Sequence, residues 1–270
     1  VMSLRAVGEG HLSSIEFRTG EIGADGQVLI DDPGTCLVGG VRTAPEHFDS
    51  AHFPAKLQEL GAVNDLSTGV LGRLGAQFTP AELESSLDAL EQHGPPHAVS
   101  FETLKIIRVL ASSNYVTAFP ADSALGERVL FPAGPYETRG MEDARFVRFA
   151  AADGTWKYYA TYTAYHGLSI LPQLIETADF RRFRVSTLNG AAAQNKGMAL
   201  FPRPVHGQYV MLSRKDRENL YLATSTDVHN WNEAEELYRP PHPWELMQIG
   251  NCGSPIETEA GWLVLTHGVG

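Results

Sequence analysis

Glu142, Asp143 and Arg145 place two carboxylates and a guanidinium within one short stretch, Gly140-Met141-Glu142-Asp143-Ala144-Arg145. A Gly/Pro/Thr-rich loop, 132–140, precedes it, and the apolar run Phe146, Val147, Phe149 with strand alternation follows. Polar groups at the mouth of a strand are a common place for chemistry. Paired carboxylates suit general acid–base work if one of them holds its proton near neutrality, through burial or a neighbouring negative charge. Arg145 acts the other way, by stabilising a carboxylate. A surface turn with an Asp–Arg pair is the plain alternative, so the elements around the stretch decide between them.

Those elements repeat. Gly154-Thr155-Trp156, Gly207-Gln208-Tyr209 and Ala260-Gly261-Trp262 each join an arriving apolar segment to a departing one, at intervals of ~50 residues. Between successive copies lies an outer segment ending in Asp and aromatics, Asp179-Phe180-Arg181-Arg182-Phe183 and then Asp227-Val228-His229-Asn230-Trp231. A four-stranded unit recurring at this period predicts β-propeller blades. Each copy carries a polar pair where the innermost strand begins: Glu142-Asp143, Asn195-Lys196 and Asn251-Cys252. Innermost strands line the axis, so these pairs are expected to converge on one funnel. The segment Ser13-Ser14-Ile15-Glu16-Phe17-Arg18, with its turn near Gly26 and return through Val28-Leu29-Ile30, reads as the inner pair of an earlier blade.

The 45–97 region differs in character. Thr79-Pro80-Ala81-Glu82 combines a capping box with proline at the first helical position, and Leu83, Leu87 and Leu90 follow at helical spacing. The spacing predicts a helix over 80–93, closed by Gly94-Pro95-Pro96, with a shorter one over 54–60. The expectation is one domain over 1–270, an all-β scaffold with a helical insertion at about 54–94. From residue 98 onward the chain reads as short apolar segments and turns.

Composition narrows the partners. The net charge is −11 and no long Lys/Arg run occurs, which argues against nucleic acid and for a neutral or small ligand. No apolar run approaches the ~20 residues needed to cross a bilayer, and the first residues lack a secretion signal. A cytoplasmic location without membrane association is the default, although the true N-terminus is not assured. With only Cys36 and Cys252 present, buried free thiols are expected rather than a disulfide framework. There is no metal-spaced His/Cys cluster and no nucleotide-binding glycine loop in context, so no metal or organic cofactor is implied.

In combination these features resemble glycoside hydrolase family 130, the five-bladed propellers that act on β-mannosides and related sugars. The resemblance rests on Glu142-Asp143-x-Arg145, then Asn195-Lys196-Gly197-Met198-Ala199-Leu200-Phe201-Pro202, Gly207-Gln208-Tyr209-Val210-Met211-Leu212-Ser213-Arg214, and Gly253-Ser254-Pro255-Ile256-Glu257-Thr258 with His267-Gly268-Val269. It covers 98–270, and Gly8 to Gly20 is similar to the opening blade of longer members. The family continues past His-Gly-Val to close its ring, which implies a propeller incomplete at its C-terminus here, a piece of a longer protein.

The resemblance implies roles. Asp143 is the expected general acid, acting in the family's phosphorylases through a sugar hydroxyl. Lys196 and Arg214 match positions that hold inorganic phosphate, and His267 fits a ligand or phosphate contact, although a packed histidine fits as well. Arg145 reads as a structural clamp, and Glu142, Asn195, Tyr165 and His166 as substrate contacts, with Ser14 and Arg18 as candidates for sugar hydroxyls. Most other aromatics, Tyr158, Tyr159, Tyr162, Trp231, Trp244 and Trp262, are expected to pack between blades, Trp231 and Trp262 first. Glu257 departs from the family, whose phosphorylases often have lysine there. A carboxylate at that position would repel phosphate, and it suits the base of an inverting hydrolysis opposite Asp143. The leading expectation is therefore a glycosidase cleaving β-mannosidic bonds of an oligosaccharide or small glycoside with inversion. The alternatives are an inverting phosphorylase with inorganic phosphate as co-substrate, and a sugar-binding propeller without catalysis. A homo-oligomer is compatible with each.

Overall fold

The computed structural model describes residues 1–34, 36–93 and 98–270. The sequence repeat is a propeller blade. The first full blade is an antiparallel meander of Gly140–Ala150, Trp156–Tyr165, Ile170–Thr177 and Arg182–Thr187, with Tyr115–Ala118 and Val41–Thr43 added outside it. The second is Ala199–Leu200, Tyr209–Ser213, Leu220–Ser225 and Glu233–Tyr238, also antiparallel throughout. The third copy holds an inner pair, in which Gln248–Asn251 pairs Thr266–Val269 and Ile256–Thr258 pairs Gly261–Leu263. All three glycine turns expected from the repeat separate paired strands.

Side-chain alternation explains why the blades stack. On Trp156–Tyr165, Ala160, Tyr162 and Ala164 pack with Ile15, Phe17 and Phe183 on one face. Tyr159 packs on the other with Leu200, Met211 and Trp231. On Tyr209–Ser213 the alternation repeats: Met211 joins the first blade, while Val210 and Leu212 join Ile249 and Trp262 of the third copy. Each blade is thus buried on both faces, as a propeller requires and as the near-continuous apolar runs suggest.

The opening segment departs from the expected pairing. Ser13–Arg18 pairs Met2–Val7 on one side and Arg128–Leu130 on the other. The return through Val28–Ile30 instead pairs Gly20–Ile22 as a small separate hairpin. Its apolar residues Ile22, Val28, Leu29 and Ile30 are exposed, so hydrophobicity did not report burial there.

Among the described residues four helices follow: α1 (His52–Glu59), α2 (Asp65–Leu71), α3 (Pro80–His93) and α4 (Ala98–Ser112). The Thr79–Glu82 capping box is formed, with Thr79 N donating to Glu82 Oε2 (2.7 Å) and Glu82 N donating to Thr79 Oγ1 (3.2 Å). The Gly94-Pro95-Pro96 stop lies outside the described residues. The helical region extends beyond the expected 54–94, because α4 occupies a stretch that reads as strand and turn. Its Ile106, Ile107 and Val109 carry the β-branched signature of a strand, but Leu104, Ile107 and Leu110 bury with Leu83 and Leu87 of α3, and packing overrides propensity. Both cysteines are exposed rather than buried. Among the described residues, no helix is long and apolar enough to cross a membrane.

Candidate active site

The Glu142–Arg145 stretch is a β-bulge. Glu142 pairs Thr163 and Arg145 pairs Thr161, leaving one extra residue on this strand. Asp143 sits in it with φ of 56°, a left-handed conformation that non-glycine residues adopt at a cost of about 1–3 kcal/mol. A bulge re-aims side chains and is over-represented beside active sites. Here it separates the two carboxylates: Glu142 is buried, and the side chain of Asp143 is 36% exposed.

Glu142 is fully engaged. Its Oε1 accepts from Arg5 Nη2 at 2.7 Å and its Oε2 from Lys196 Nζ at 2.6 Å. Arg5 Nη1 also lies 3.7 Å from Asp143 Oδ1, so one arginine of the first strand addresses both acids. Lys196 Nζ stands 5.1 Å from the Tyr165 ring centroid, and the Tyr165 hydroxyl donates to the Gly167 carbonyl at 2.9 Å. Arg5 was not anticipated. The signal was the central arginine in the alternating run Ser3-Leu4-Arg5-Ala6-Val7, a short strand at the very start of the chain.

The other side of Asp143 is cationic. A Cβ on Gly197, whose φ is 82°, would lie 3.2 Å from Arg145 Nη1 and 3.7 Å from Arg214 Cζ. One on Gly250 would lie 2.8 Å from His267 Cε1 and 3.0 Å from Arg214 Nη1. Two glycines therefore make the room in which Arg145, Arg214 and His267 meet, each from a different blade copy. Burial lowers the pKa of both arginines, and Asp143 opposes that shift in each case. His267 is pushed below its ordinary value by burial and then by the charges of Arg145 and Arg214, again with Asp143 opposing. Arg145 Nη1 donates to the Met198 carbonyl at 3.5 Å. Arg214 is buried, its Nε lacks a hydrogen-bond partner, and among the described residues its guanidinium makes no ion pair. Cys252 Sγ lies 3.8 Å from His267 Nδ1. Arg214, buried with donors to spare, and the half-buried Arg145 can together receive an anion.

The remaining candidates divide. Asn195, with φ of 69°, donates from Nδ2 to the Arg214 carbonyl at 3.3 Å and so fixes the loop that carries Lys196. His166 follows Tyr165 and has its Nδ1 3.3 Å from Ser169 Oγ. Ser14 is buried opposite Ala6 on the opening strand. Arg18 is not brought to the cluster: it binds Glu16 (2.7 Å) and the carbonyls of Phe17 (2.7 Å) and Gly126 (3.4 Å).

Glu257 is not brought there either. It lies on the exposed Ile256–Thr258 strand, and Arg203 holds both its oxygens, Nε donating to Oε2 at 2.9 Å and Nη2 to Oε1. The Arg203 hydrogen bonds keep its pKa below the ordinary value. The reason is in the hairpin register: Glu257 stands opposite Trp262, and Arg203 lies over the Trp262 ring at 5.1 Å, so the three form a small surface cluster. Of the aromatics, Trp231 is fully buried and Trp262 packs on Phe201, while Trp244 is exposed beside His242. Tyr158, Tyr159 and Tyr162 pack between strands. Among the described residues, no group of three or more His, Cys, Asp or Glu is arranged to hold a metal ion.

A family model described as beta-1,4-mannooligosaccharide phosphorylase matches residues 121–270. The chain is 33% identical over 134 residues to a 1,2-beta-oligomannan phosphorylase of Thermoanaerobacter sp. (strain X514), over 48% of this chain and 43% of that protein. It is 31% identical over 119 residues to a beta-1,4-mannooligosaccharide phosphorylase of Ruminococcus albus, over 42% of this chain and 35% of that protein. These matches span less than half the length of each curated relative. Among solved structures, a beta-1,2-mannobiose phosphorylase from Listeria innocua in complex with beta-1,2-mannobiose aligns with a TM-score of 0.45 and 19% identity, over 99% of this chain and 67% of that one. The family match covers more than half of the chain and includes Glu142, Asp143, Arg145, Lys196, Arg214 and His267: the chain belongs to glycoside hydrolase family 130.

Proposed function

We propose that this protein takes part in phosphorolysis of β-mannosides with inversion. The observation that carries the reading is the meeting of Arg145, Arg214 and His267 beside Asp143, with the Arg214 guanidinium free of hydrogen bonds among the described residues. Inorganic phosphate seated there would attack the anomeric carbon from the face opposite the leaving group. The new C1–O(phosphate) bond forms as the glycosidic C1–O bond breaks, and the leaving oxygen takes a proton that originates on Asp143. The products are an α-mannose 1-phosphate and a saccharide one unit shorter. The cations offset charge on phosphate and on the transition state, and no metal or organic cofactor enters the reaction so written. Glu142 positions Arg5 and Lys196 at the rim, and Tyr165 offers a ring face to a sugar.

Hydrolysis with Glu257 as base loses support from the Arg203 pair, which keeps that carboxylate occupied on another surface. The deciding experiment is product analysis with β-1,2- and β-1,4-mannobiose, with and without inorganic phosphate. The proposal expects sugar 1-phosphate, formed only when phosphate is present. Phosphate-independent release of free mannose would replace it with the hydrolase reading, and saturable sugar binding with no turnover would leave a binding propeller.

A further inference from the structure

A pocket lies where the helical region meets the first blade. Its volume is 530 Å³, within the ~300–1,000 Å³ usual for small-molecule sites, and it shares no residue with the Asp143 site. One wall is the 45–53 segment leading into α1, and the other is the blade strand Arg182–Thr187. On that strand Phe183 and Val185 face the core, so Arg182, Arg184 and Ser186 share the opposite face. That face would be open to solvent on a bare blade. The helical region covers it, and Ser186 is only 8% exposed.

Which polar groups remain uncommitted in this pocket sets the chemistry of a ligand. Its acids are occupied: Glu46 pairs Arg182 at 3.2 Å, and Asp49 Oδ1 accepts from the amides of Ala51 (2.7 Å) and His52 (3.3 Å). Ser186 and Arg184 are among the groups left over: Ser186 Oγ is buried without a hydrogen-bond partner, and among the described residues the Arg184 side chain makes no hydrogen bond or ion pair. A buried hydroxyl left unpaired is unfavourable, and a bound acceptor would satisfy it. Phe48 and Phe53 add an apolar wall.

We infer that this pocket binds a small organic anion, a sugar-sized molecule bearing a phosphate or carboxylate, with Arg184 on the anionic group and Ser186 donating to it. The site is independent of the catalytic reading. Isothermal titration calorimetry with mannose 6-phosphate, mannuronate, mannose and inorganic phosphate tests it, using the intact protein, Arg184→Gln, Ser186→Val and Arg214→Gln. Arg184 is exposed, so its replacement leaves the fold intact. The expected result is saturable binding of the 6-phosphate or of mannuronate, which tells the two anions apart, weakened at least tenfold in Arg184→Gln and Ser186→Val and unchanged in Arg214→Gln. Neutral mannose binding as tightly as its charged forms, binding unaffected by Arg184→Gln, binding lost in Arg214→Gln alone, or no binding of either organic anion would each overturn the inference.

Discussion

Lys196 Nζ lies 2.6 Å from Glu142 Oε2, so a loop of the second blade is tied to the bulge of the first through a buried carboxylate. The lysine expected to hold phosphate is thus bound to an acid already. Removing it would leave Glu142 with Arg5 as its remaining charge partner, and an incompletely paired buried group costs about 1–3 kcal/mol. Lys196→Met is therefore expected to lower the urea midpoint, and Glu142→Gln in the same chain to restore much of the loss, which a double-mutant cycle measures. A direct phosphate role for Lys196 would instead raise KM for phosphate and leave stability unaltered.

Asp143 and Glu257 make opposite predictions. Asp143→Asn keeps the shape of the bulge and removes the proton, so kcat is expected to fall by about 10²–10⁴ while calorimetry still detects sugar binding. Glu257→Gln is expected to leave kcat/KM within about twofold, as befits an exposed pair. A loss in Glu257→Gln as severe as in Asp143→Asn would restore the two-carboxylate hydrolysis.

His267 offers a test of the proposed anion site. Burial, Arg145 and Arg214 hold its pKa below the ordinary value, so it is neutral at pH 7. Phosphate brings negative charge to the same place, which favours the protonated ring and raises the pKa. Phosphate binding should then take up a proton and tighten as pH falls from the bound-state pKa of His267 towards its free-state pKa, levelling off below it. Nitrogen-detected NMR titration of the imidazole with and without phosphate measures the shift. An unchanged or lowered pKa on adding phosphate would remove His267 from that site.

How much of this was legible in the sequence depends on how local the cause is. The Gly154, Gly207 and Gly261 turns and the Thr79–Glu82 box are set by neighbours in the chain, and each could be placed from residue types alone. Blade phase also carried Lys196 to Glu142 across 54 residues, because equivalent strand positions face one axis. What escaped was set by remote packing. Helix α4 carries strand-like residues and is helical because Leu104, Ile107 and Leu110 complete a core with α3. Arg5 joins the site only through pairing of the first strand with Ser13–Arg18. Glu257 is read from its position in a motif, and its partner Arg203 lies in the loop between Ala199–Leu200 and Tyr209–Ser213, beyond what a motif can report.

The helical region is held to both blades by a charged cluster whose pH dependence can be worked out. His52 of α1 bonds Asp227 through Nε2 and stacks on His229 at 5.2 Å, and His229 Nε2 lies 3.2 Å from Glu176, which also takes Lys157 at 2.9 Å. Asp49 adds a further carboxylate 3.9 Å from His52. Burial pushes the His229 pKa down, but its bonds to Asp227 and Glu176 outweigh that and raise it to about 9 from 6.5. Burial pushes Glu176 up, and His229 and Lys157 outweigh it, leaving its pKa at about 2 against 4.5. A raised histidine stabilises the fold fully below pH 6.5 and loses that contribution as pH rises through about 9; the carboxylate contributes above pH 4.5 and loses it as pH falls towards 2. Stability is therefore expected to decline between pH 6.5 and 9, by on the order of 2–3 kcal/mol. In His229→Gln the same interval should be nearly flat, with lower stability at pH 6. Urea unfolding across that range tests it, and a parallel decline in wild type and His229→Gln would move the pH-sensitive group elsewhere in the molecule.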